Sequence, residues 1–366
     1  MKTLSSLNTR IPRIAALLGA CAFLSACAGA PDAGDGTVRM GVILPLGGPK
    51  GEFAQNVRRG MELAAERIAA ENAGAKRLEL VFADTKGDRD ELAGIIKGFV
   101  ARDIKALHAG FTADIAYDID AFGLLKDSLV NYLCSYPPAA VHSPNGVRIF
   151  LNGAQECEML AKFAEPKKGE ERKLMIMGVN DPAGKSCANY LKFQAENPAV
   201  KIMEDTFRDG ETRFDIFAEQ IAMLKSDCVL MYGYGDAAGP ACESLKKTDF
   251  EGTFAANCGF YESGLKSSDR VAAFEIATAF SLGKVKNPES AAFVAAYEKK
   301  YGQKPHWTAA YGHDSVMLVW KALKAADYDA PNARAWLLGK TFEGAIGKIS
   351  IDGLGDSTGE LELVRR

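Results

Sequence analysis

Hydrophobic positions over residues 38–133 alternate between short apolar runs and helical stripes. Residues 38–44 form an apolar run that ends at Pro45, and from residue 53 to residue 68 apolar side chains recur mainly at four-residue steps. The first pattern is typical of a buried strand and the second of a helix with one apolar face. The same alternation predicts strands at 78–82, 104–109 and 129–133, with helices around 92–99 and 113–125. Strands separated by helices indicate βαβ units in a doubly wound parallel sheet.

A second, similar alternation begins after a break at 148–156, where no low-complexity linker occurs. It predicts strands at 173–179, 201–207, 228–232 and 252–256, with helices at 185–196, 214–225 and 239–247. The C-terminal third predicts helices at 288–301, 308–325 and 331–338, then a hairpin of 347–351 with 360–364. These last elements are too few for a third sheet, so we expect them to complete the first two.

The N-terminus predicts secretion. Lys2, Arg10 and Arg13 precede an apolar run at 14–24, which is too short to span a bilayer comfortably. Basic, apolar and small residues in that order are typical of a signal peptide, here 1–26. The following segment, 27–37, is rich in small and polar residues and is interpreted as a flexible tether.

Leu-Ser-Ala-Cys at 24–27 resembles a bacterial lipobox. That resemblance implies cleavage before Cys27 and acylation of its thiol, which would anchor a periplasmic or cell-surface lipoprotein to a membrane. An ordinary signal peptide with an incidental Cys27 is the alternative. Ala28 does not decide between the inner and the outer membrane. No later segment is long and apolar enough to be a transmembrane helix.

Composition sets further bounds. About 340 residues remain after the signal peptide, enough for two domains, and 48% of the chain is hydrophobic. The net charge of −3 gives no electrostatic argument for nucleic acid. Beyond Cys27, six cysteines remain, and an oxidising compartment allows up to three disulfides or buried thiols. No spacing is CxxC, so zinc is disfavoured and no metal or other cofactor is predicted. The cysteines, whose pairing the sequence leaves open, are Cys134, Cys157, Cys187, Cys228, Cys242 and Cys258.

Catalytic motifs are poorly matched. Ser135 lacks a GxSxG context, and the glycine-rich segment 47–51 lacks the spacing of a phosphate loop. His313 and Asp314 fall within a predicted helix, and His108 falls within a predicted buried strand. We therefore predict that the chain is not an enzyme.

Several segments, in order, resemble the branched-chain amino-acid receptor family, which has the type I periplasmic binding fold. GVILPLGG at 41–48, GMELA at 60–64, FADT at 82–85, FVAAYEKKYGQKP at 293–305 and the closing glycine-rich stretch at 344–355 carry the likeness. It implies two doubly wound lobes joined by a three-strand hinge. It also implies a ligand cleft between the lobes and an ABC permease as membrane partner. The expected lobes are 38–150 plus 285–343, and 151–284 plus 344–366.

The candidate ligand-binding residues follow the predicted strands, because open α/β sheets bind ligands at the carboxyl ends of their strands. In the first lobe they are Leu46, Gly47, Gly48, Phe53, Phe111, Thr112, Ser135 and Tyr136. In the second lobe they are Asp181, Tyr232, Tyr234, Asp236 and Phe260.

Two departures from the family pattern bear on the ligand. Tyr136 is followed by two prolines, where the family typically has small and hydroxyl residues. No acid stands at 257–260, where many amino-acid receptors hold the ligand's ammonium, although Asp236 could replace it. The main hypothesis is a receptor for an amino acid or a related polar or aromatic compound. The alternative is a regulatory or scaffold lipoprotein that uses the same fold to bind a protein.

Overall fold

The structure is a computed structural model that describes residues 36–47, 50–72, 76–86, 88, 90–111, 127–135, 144–261 and 263–366. Several predictions lie outside these residues: the signal peptide, Cys27 and most of the tether, Gly48, Thr112, Tyr136 and the helix at 113–125. No helix in the described part of the chain is both long and apolar enough to cross a membrane.

The described strands and helices follow one another in βα alternation through most of the chain. The strands are β1 (Thr37–Leu44), β2 (Arg77–Asp84), β3 (Ala106–Ala109), β4 (Leu129–Tyr132), β5 (Gly146–Val147), β6 (Arg172–Val179), β7 (Val200–Phe207), β8 (Cys228–Tyr232), β9 (Gly252–Ala256), β10 (Val271–Thr278), β11 (Lys340–Gly344), β12 (Gly347–Ile351), β13 (Ser357–Gly359) and β14 (Leu361–Arg365). The helices are α1 (Gly51–Glu71), α2 (Leu92–Val100), α3 (Gly153–Ala161), α4 (Pro182–Gln194), α5 (Asp215–Met223), α6 (Ala238–Lys246), α7 (Pro288–Tyr301), α8 (Trp307–Ala325) and α9 (Ala330–Leu337).

Two parallel sheets form the body of the fold, as the alternation predicted. The first has the order β2-β1-β3-β4-β5, and all its described pairings are parallel. The second has the order β14-β10-β9-β8-β6-β7, parallel except for β14 at one edge. Every residue of β3, β4 and β8 is buried, which explains why their sequences are mainly apolar; the two buried polar residues, His108 and Asn131, hydrogen-bond to one another. We call the two sides the first lobe and the second lobe.

The sequence analysis missed β5, β10, β11 and β13, and it misassigned the C-terminal hairpin. β10 has an alanine-rich sequence with weak strand propensity, yet it lies between β9 and β14. β12 pairs with β11 and β13 in a separate three-stranded antiparallel sheet. The segment expected to be its hairpin partner is β14, which pairs instead with β10. A third, small sheet therefore exists, contrary to expectation.

The chain leaves the first sheet after β5, leaves the second after β10, and returns to the second at β14. Arg148 lies just beyond β5 and is fully buried. Its guanidinium donates to both carboxylate oxygens of Asp356, at 2.7 and 3.0 Å, and to the carbonyl of Cys134 at 3.1 Å. This pairing ties the first crossing to the C-terminal segment. The lobe boundaries at 150, 284 and 343 stay a prediction.

Helix α8 returns to pack against α1, and glycine permits the close approach. A Cβ on Gly60 would lie 1.8 Å from the carbonyl oxygen of Ala309, and one on Gly312 would lie 2.3 Å from that of Val57. Both distances are far below any real contact, so the two backbones touch where the side chains are absent. The C-terminal third is thereby joined to the first lobe.

Of the two alternatives left open for the cysteines, the described structure shows buried thiols: none of the six described cysteines forms a disulfide. Each occupies an apolar position in a core, and none is more than 3% exposed. The Sγ atom of Cys157 lies 3.8 Å from the carbonyl oxygen of Cys187. These side chains therefore pack as small hydrophobic groups.

Candidate functional site: the interlobe cavity

A cavity lies between the lobes at the point where strand order reverses in both sheets. In the first sheet this point lies between β1 and β3, and in the second between β6 and β8. At such a switch point neighbouring loops diverge to opposite faces and leave a crevice beyond the carboxyl ends of the strands. The two crevices face one another in this fold and form a single space.

The interlobe cavity has about 720 Å³ of space, including the part open to solvent. Its described lining consists of Lys50, Phe53, Phe111, Leu133, Cys134, Ser135, Phe150, Leu151, Val179, Ala183, Gly184, Tyr232, Gly233, Tyr234, Asn257, Gly259, Trp307 and Thr308. Both lobes, the first crossing and the start of α8 contribute to it.

Aromatic rings form most of one wall. The ring of Phe150 lies 6.1 Å from that of Phe111, 6.1 Å from that of Trp307 and 5.1 Å from that of Tyr311. Phe150 is 5% exposed because it sits at the crossing between lobes, with rings on several sides. Such a cluster offers a rigid apolar surface to a flat or bulky apolar ligand group.

One ion pair bridges the two lobes at the cavity. The ammonium of Lys50, just before α1, lies 3.2 Å from the Oδ2 atom of Asp181, the N-cap of α4. The same ammonium lies 4.2 Å above the ring of Tyr234, whose hydroxyl donates to Asp181 at 2.9 Å. Burial and the adjacent carboxylates raise the pKa of Tyr234 above its usual range. Lys50, Asp181 and Tyr234 together form what we call the interlobe bridge.

A fully buried acid supports the floor of the cavity. Glu156, in α3, accepts hydrogen bonds from the hydroxyl of Tyr232 at 2.8 Å and from the backbone N–H of Cys258 at 2.7 Å. Burial raises the pKa of Glu156 to about 7, although these hydrogen bonds and one from Asn257 oppose the shift. A Cβ at Gly153 would lie 2.7 Å from the Tyr232 hydroxyl, so the backbone at the start of α3 packs closely against this hydroxyl.

Five of the predicted site residues come together around the cavity. They are Phe53, Phe111, Ser135, Tyr232 and Tyr234. Five others do not line it, and three lie outside the described residues. The five others are Leu46, Gly47, Asp181, Asp236 and Phe260; the three are Gly48, Thr112 and Tyr136.

The five that do not line the cavity have other surroundings. Asp181 does not line the cavity itself but contacts two residues that do, Lys50 and Tyr234, in the interlobe bridge. Phe260 belongs to the second-lobe core, where its ring lies 6.3 Å from that of Phe207. Asp236 is exposed, and the backbone N–H of Leu46 donates to Asp84 at 2.9 Å. Gly47 lies beside Leu46 in the same loop. Asp236 is therefore not placed to replace the missing ammonium partner.

Sequence reasoning missed Lys50, Phe150, Trp307 and Glu156. Lys50 lies within the glycine-rich segment 47–51, of which only Gly47 and Gly48 were chosen as candidates. Phe150 falls in the predicted break between the lobes, and Trp307 is the first residue of α8, one position before the predicted start of that helix.

No catalytic or metal site emerges in the described residues. No group of three or more His, Cys, Asp or Glu side chains in those ranges could hold a metal ion. Asp314 is buried in α8 and accepts the backbone N–H groups of Ala345 and Ile346, at 2.8 and 2.9 Å. His313 lies 3.1 Å from Asp314, so this pair fixes a turn next to β12.

Comparison with known proteins defines the class. The family profile described as periplasmic binding protein matches residues 37–360. Together with the two parallel-sheet lobes, this match shows that the chain belongs to the periplasmic binding protein family, with the type I fold.

Individual relatives are distant but cover nearly the whole chain. A Leu/Ile/Val-binding protein homolog 2 of Brucella abortus (strain 2308) is 20% identical over 343 residues, 87% of each chain. The isoleucine complex of LivJ from Streptococcus pneumoniae has a TM-score of 0.71 at 18% identity, covering 90% of this chain and 100% of that one. A solute-binding protein of Rhodopseudomonas palustris BisB5 in complex with 3,4-dihydroxybenzoic acid has a TM-score of 0.73 at 19% identity, covering 90% and 93%. At these identities, the structural likeness concerns the fold.

Proposed function

We propose that this chain is an extracytoplasmic solute-binding protein that captures a small molecule in the interlobe cavity and presents it to an ABC transporter. The observation that carries the proposal is the cavity itself, lined from both lobes at the two switch points. A ligand that contacts both lobes favours their closed arrangement, and the closed form is what a membrane partner would recognise. The relatives named for isoleucine and for 3,4-dihydroxybenzoic acid support a ligand of that size.

The lipid anchor at Cys27 is part of the same proposal. An acylated Cys27 would hold the receptor at the membrane through the tether. Metabolic labelling with a fatty-acid analogue tests this step, with Cys27→Ala as the control. We expect label on the native chain and none on the variant. Label on neither would leave a freely secreted receptor.

The receptor role is tested by calorimetry on the secreted chain carrying Cys27→Ala. A panel of amino acids, carboxylates, amides and purines should contain at least one ligand. That ligand should raise the melting temperature and reduce the radius of gyration in solution scattering. Tyr234→Ala should weaken its binding, whereas Tyr190→Ala, on α4 and away from the cavity, should not. A folded chain that binds no small molecule would contradict the proposal.

The scaffold alternative predicts a cleft filled by the protein's own side chains. The described residues leave an open space between the lobes that is lined mainly by apolar and aromatic side chains, which favours the small-molecule role. A stable protein partner captured without any small-molecule binding would reverse this preference.

A further inference from the structure

Lys50 is the one charged side chain among the described residues that line the interlobe cavity, and its partner Asp181 does not line it. The Lys50 side chain is 19% exposed, and its ammonium lies over the ring of Tyr234. An ammonium has three N–H donors, and Asp181 accepts from it at 3.2 Å. Lys50 can therefore donate to a ligand acceptor as well as to Asp181.

Three other polar side chains of the lining are engaged with the protein. Tyr232 donates to Glu156 at 2.8 Å, and Tyr234 donates to Asp181 at 2.9 Å. The side-chain oxygen of Asn257 accepts a backbone N–H at 2.9 Å. These groups hold the wall in place, so Lys50 is the main source of charged recognition in the described lining.

A ligand ammonium would find no suitable partner among the described residues. Asp181 is the nearest carboxylate to the cavity, and it already accepts from the backbone of Gly184 at 2.7 Å, from Tyr234 and from Lys50. Glu156 lies behind Tyr232 and is fully buried. Burying an ammonium without a carboxylate or several acceptors is strongly unfavourable. The site thus disfavours zwitterionic α-amino acids.

A carboxylate on an apolar aromatic body matches the same surfaces. The carboxylate would accept a charge-assisted hydrogen bond from Lys50. The body would pack among Phe53, Phe111, Phe150 and Trp307, all of which line the cavity. A ligand with one anionic end and one aromatic end uses the cation and the aromatic wall together.

We infer that the interlobe cavity takes an aromatic monocarboxylate without an α-ammonium group, and that Lys50 is the residue that determines this specificity. The inference rests on the proposed receptor function and specifies its ligand class.

The test compares matched ligands by calorimetry on the Cys27→Ala chain. The probes are benzoate, 3-phenylpropanoate with its α-amino counterpart phenylalanine and its neutral counterpart 3-phenylpropanamide, and 4-methylpentanoate with its α-amino counterpart leucine. We expect an aromatic carboxylate to bind best. Phenylalanine and the amide should bind at least about tenfold more weakly than 3-phenylpropanoate, as expected for loss of a charge-assisted contact or burial of an unpaired ammonium.

Three variants assign the effect to Lys50. Lys50→Met should weaken binding of the carboxylate at least about tenfold. Lys185→Met removes the same charge from an exposed position on α4 and should leave binding unchanged. Asp181→Asn breaks the interlobe bridge but keeps the Lys50 charge and an N-cap side chain. It should therefore preserve or strengthen binding.

Each contrary outcome has a distinct meaning. Tighter binding of phenylalanine or leucine than of their deaminated counterparts would overturn the inference and leave the receptor function intact. Equal weakening by Lys50→Met and Asp181→Asn would show that Lys50 acts by closing the lobes, which also overturns its assigned role. If no aromatic carboxylate binds, the inference fails. The receptor proposal fails as well only if the broader panel also gives no ligand.

Discussion

Glu156 should make the protein less stable as the pH rises from acidic to neutral. Its carboxyl is fully buried, and burial raises its pKa from an ordinary value of 4.5 to about 7. Between those two values the folded chain holds a proton that the unfolded chain has released. The free energy of unfolding therefore falls as the pH rises through this window. The contribution of Glu156 is fully present below pH 4.5 and is lost as the pH rises through about 7.

The magnitude follows from the size of the shift. One pKa unit corresponds to about 1.36 kcal/mol, so the shift at Glu156 corresponds to about 3 kcal/mol between the two limits. Glu156→Gln keeps an acceptor for Cys258 and the shape of the protonated acid, and it cannot ionise. Relative to this variant, the native chain should lose about 3 kcal/mol of unfolding free energy between pH 4.5 and pH 8.

Urea unfolding at a series of pH values measures this difference. Other groups also titrate: burial lowers the pKa of His108 to about 3, which opposes folding as the pH falls below 6.5. This contribution is common to both proteins and cancels in the comparison. A constant difference for Glu156→Gln, or one of opposite slope, would refute the reasoning.

Three further predictions follow from the packing. Gly60→Ala should destabilise the fold by several kcal/mol or prevent folding, because its Cβ would overlap the backbone of α8; Gly98→Ala, with open space around it in α2, should stabilise by about 0.5–1 kcal/mol, and urea unfolding of both checks this. Arg148→Met should cost about 3–5 kcal/mol by leaving Asp356 without its guanidinium, and a large part should return in the double variant with Asp356→Asn. The six described cysteines should resist a thiol reagent in the native chain and all react after unfolding without reductant; fewer reactive thiols would reveal disulfides.

Much of the fold could be predicted because local pattern and topology agree. β1 to β4 and β6 to β9 were predicted within two residues of their observed bounds, since local apolar patterning marks most of them. β10 was missed because alanine carries little strand signal. The partner of β14 could not be read from the sequence either, since pairing with β10 depends on which sheet edge is within reach.

The sequence predicted the location of the candidate site better than it predicted which residues line it. Phe53, Phe111, Ser135, Tyr232 and Tyr234 line the cavity because each lies at or soon after the carboxyl end of a strand, a relation that topology fixes. The same rule also selected positions such as Asp236, which is exposed and does not line the cavity. Loop conformation decides such cases, and it depends on contacts distant in sequence.

The sequence by itself determined the βα alternation, the two parallel sheets and the likeness to a periplasmic receptor, because hydrophobic periodicity is a local property of the chain. Only the tertiary structure decided that Lys50 forms an ion pair with Asp181, 131 residues further along the chain. It also decided that Glu156 is buried and accepts a hydrogen bond from Tyr232. The position of the Lys50 charge in the cavity lining and the raised pKa of Glu156 both depend on these contacts. Electrostatic environment is set by which groups are neighbours after folding, and no local pattern contains that information.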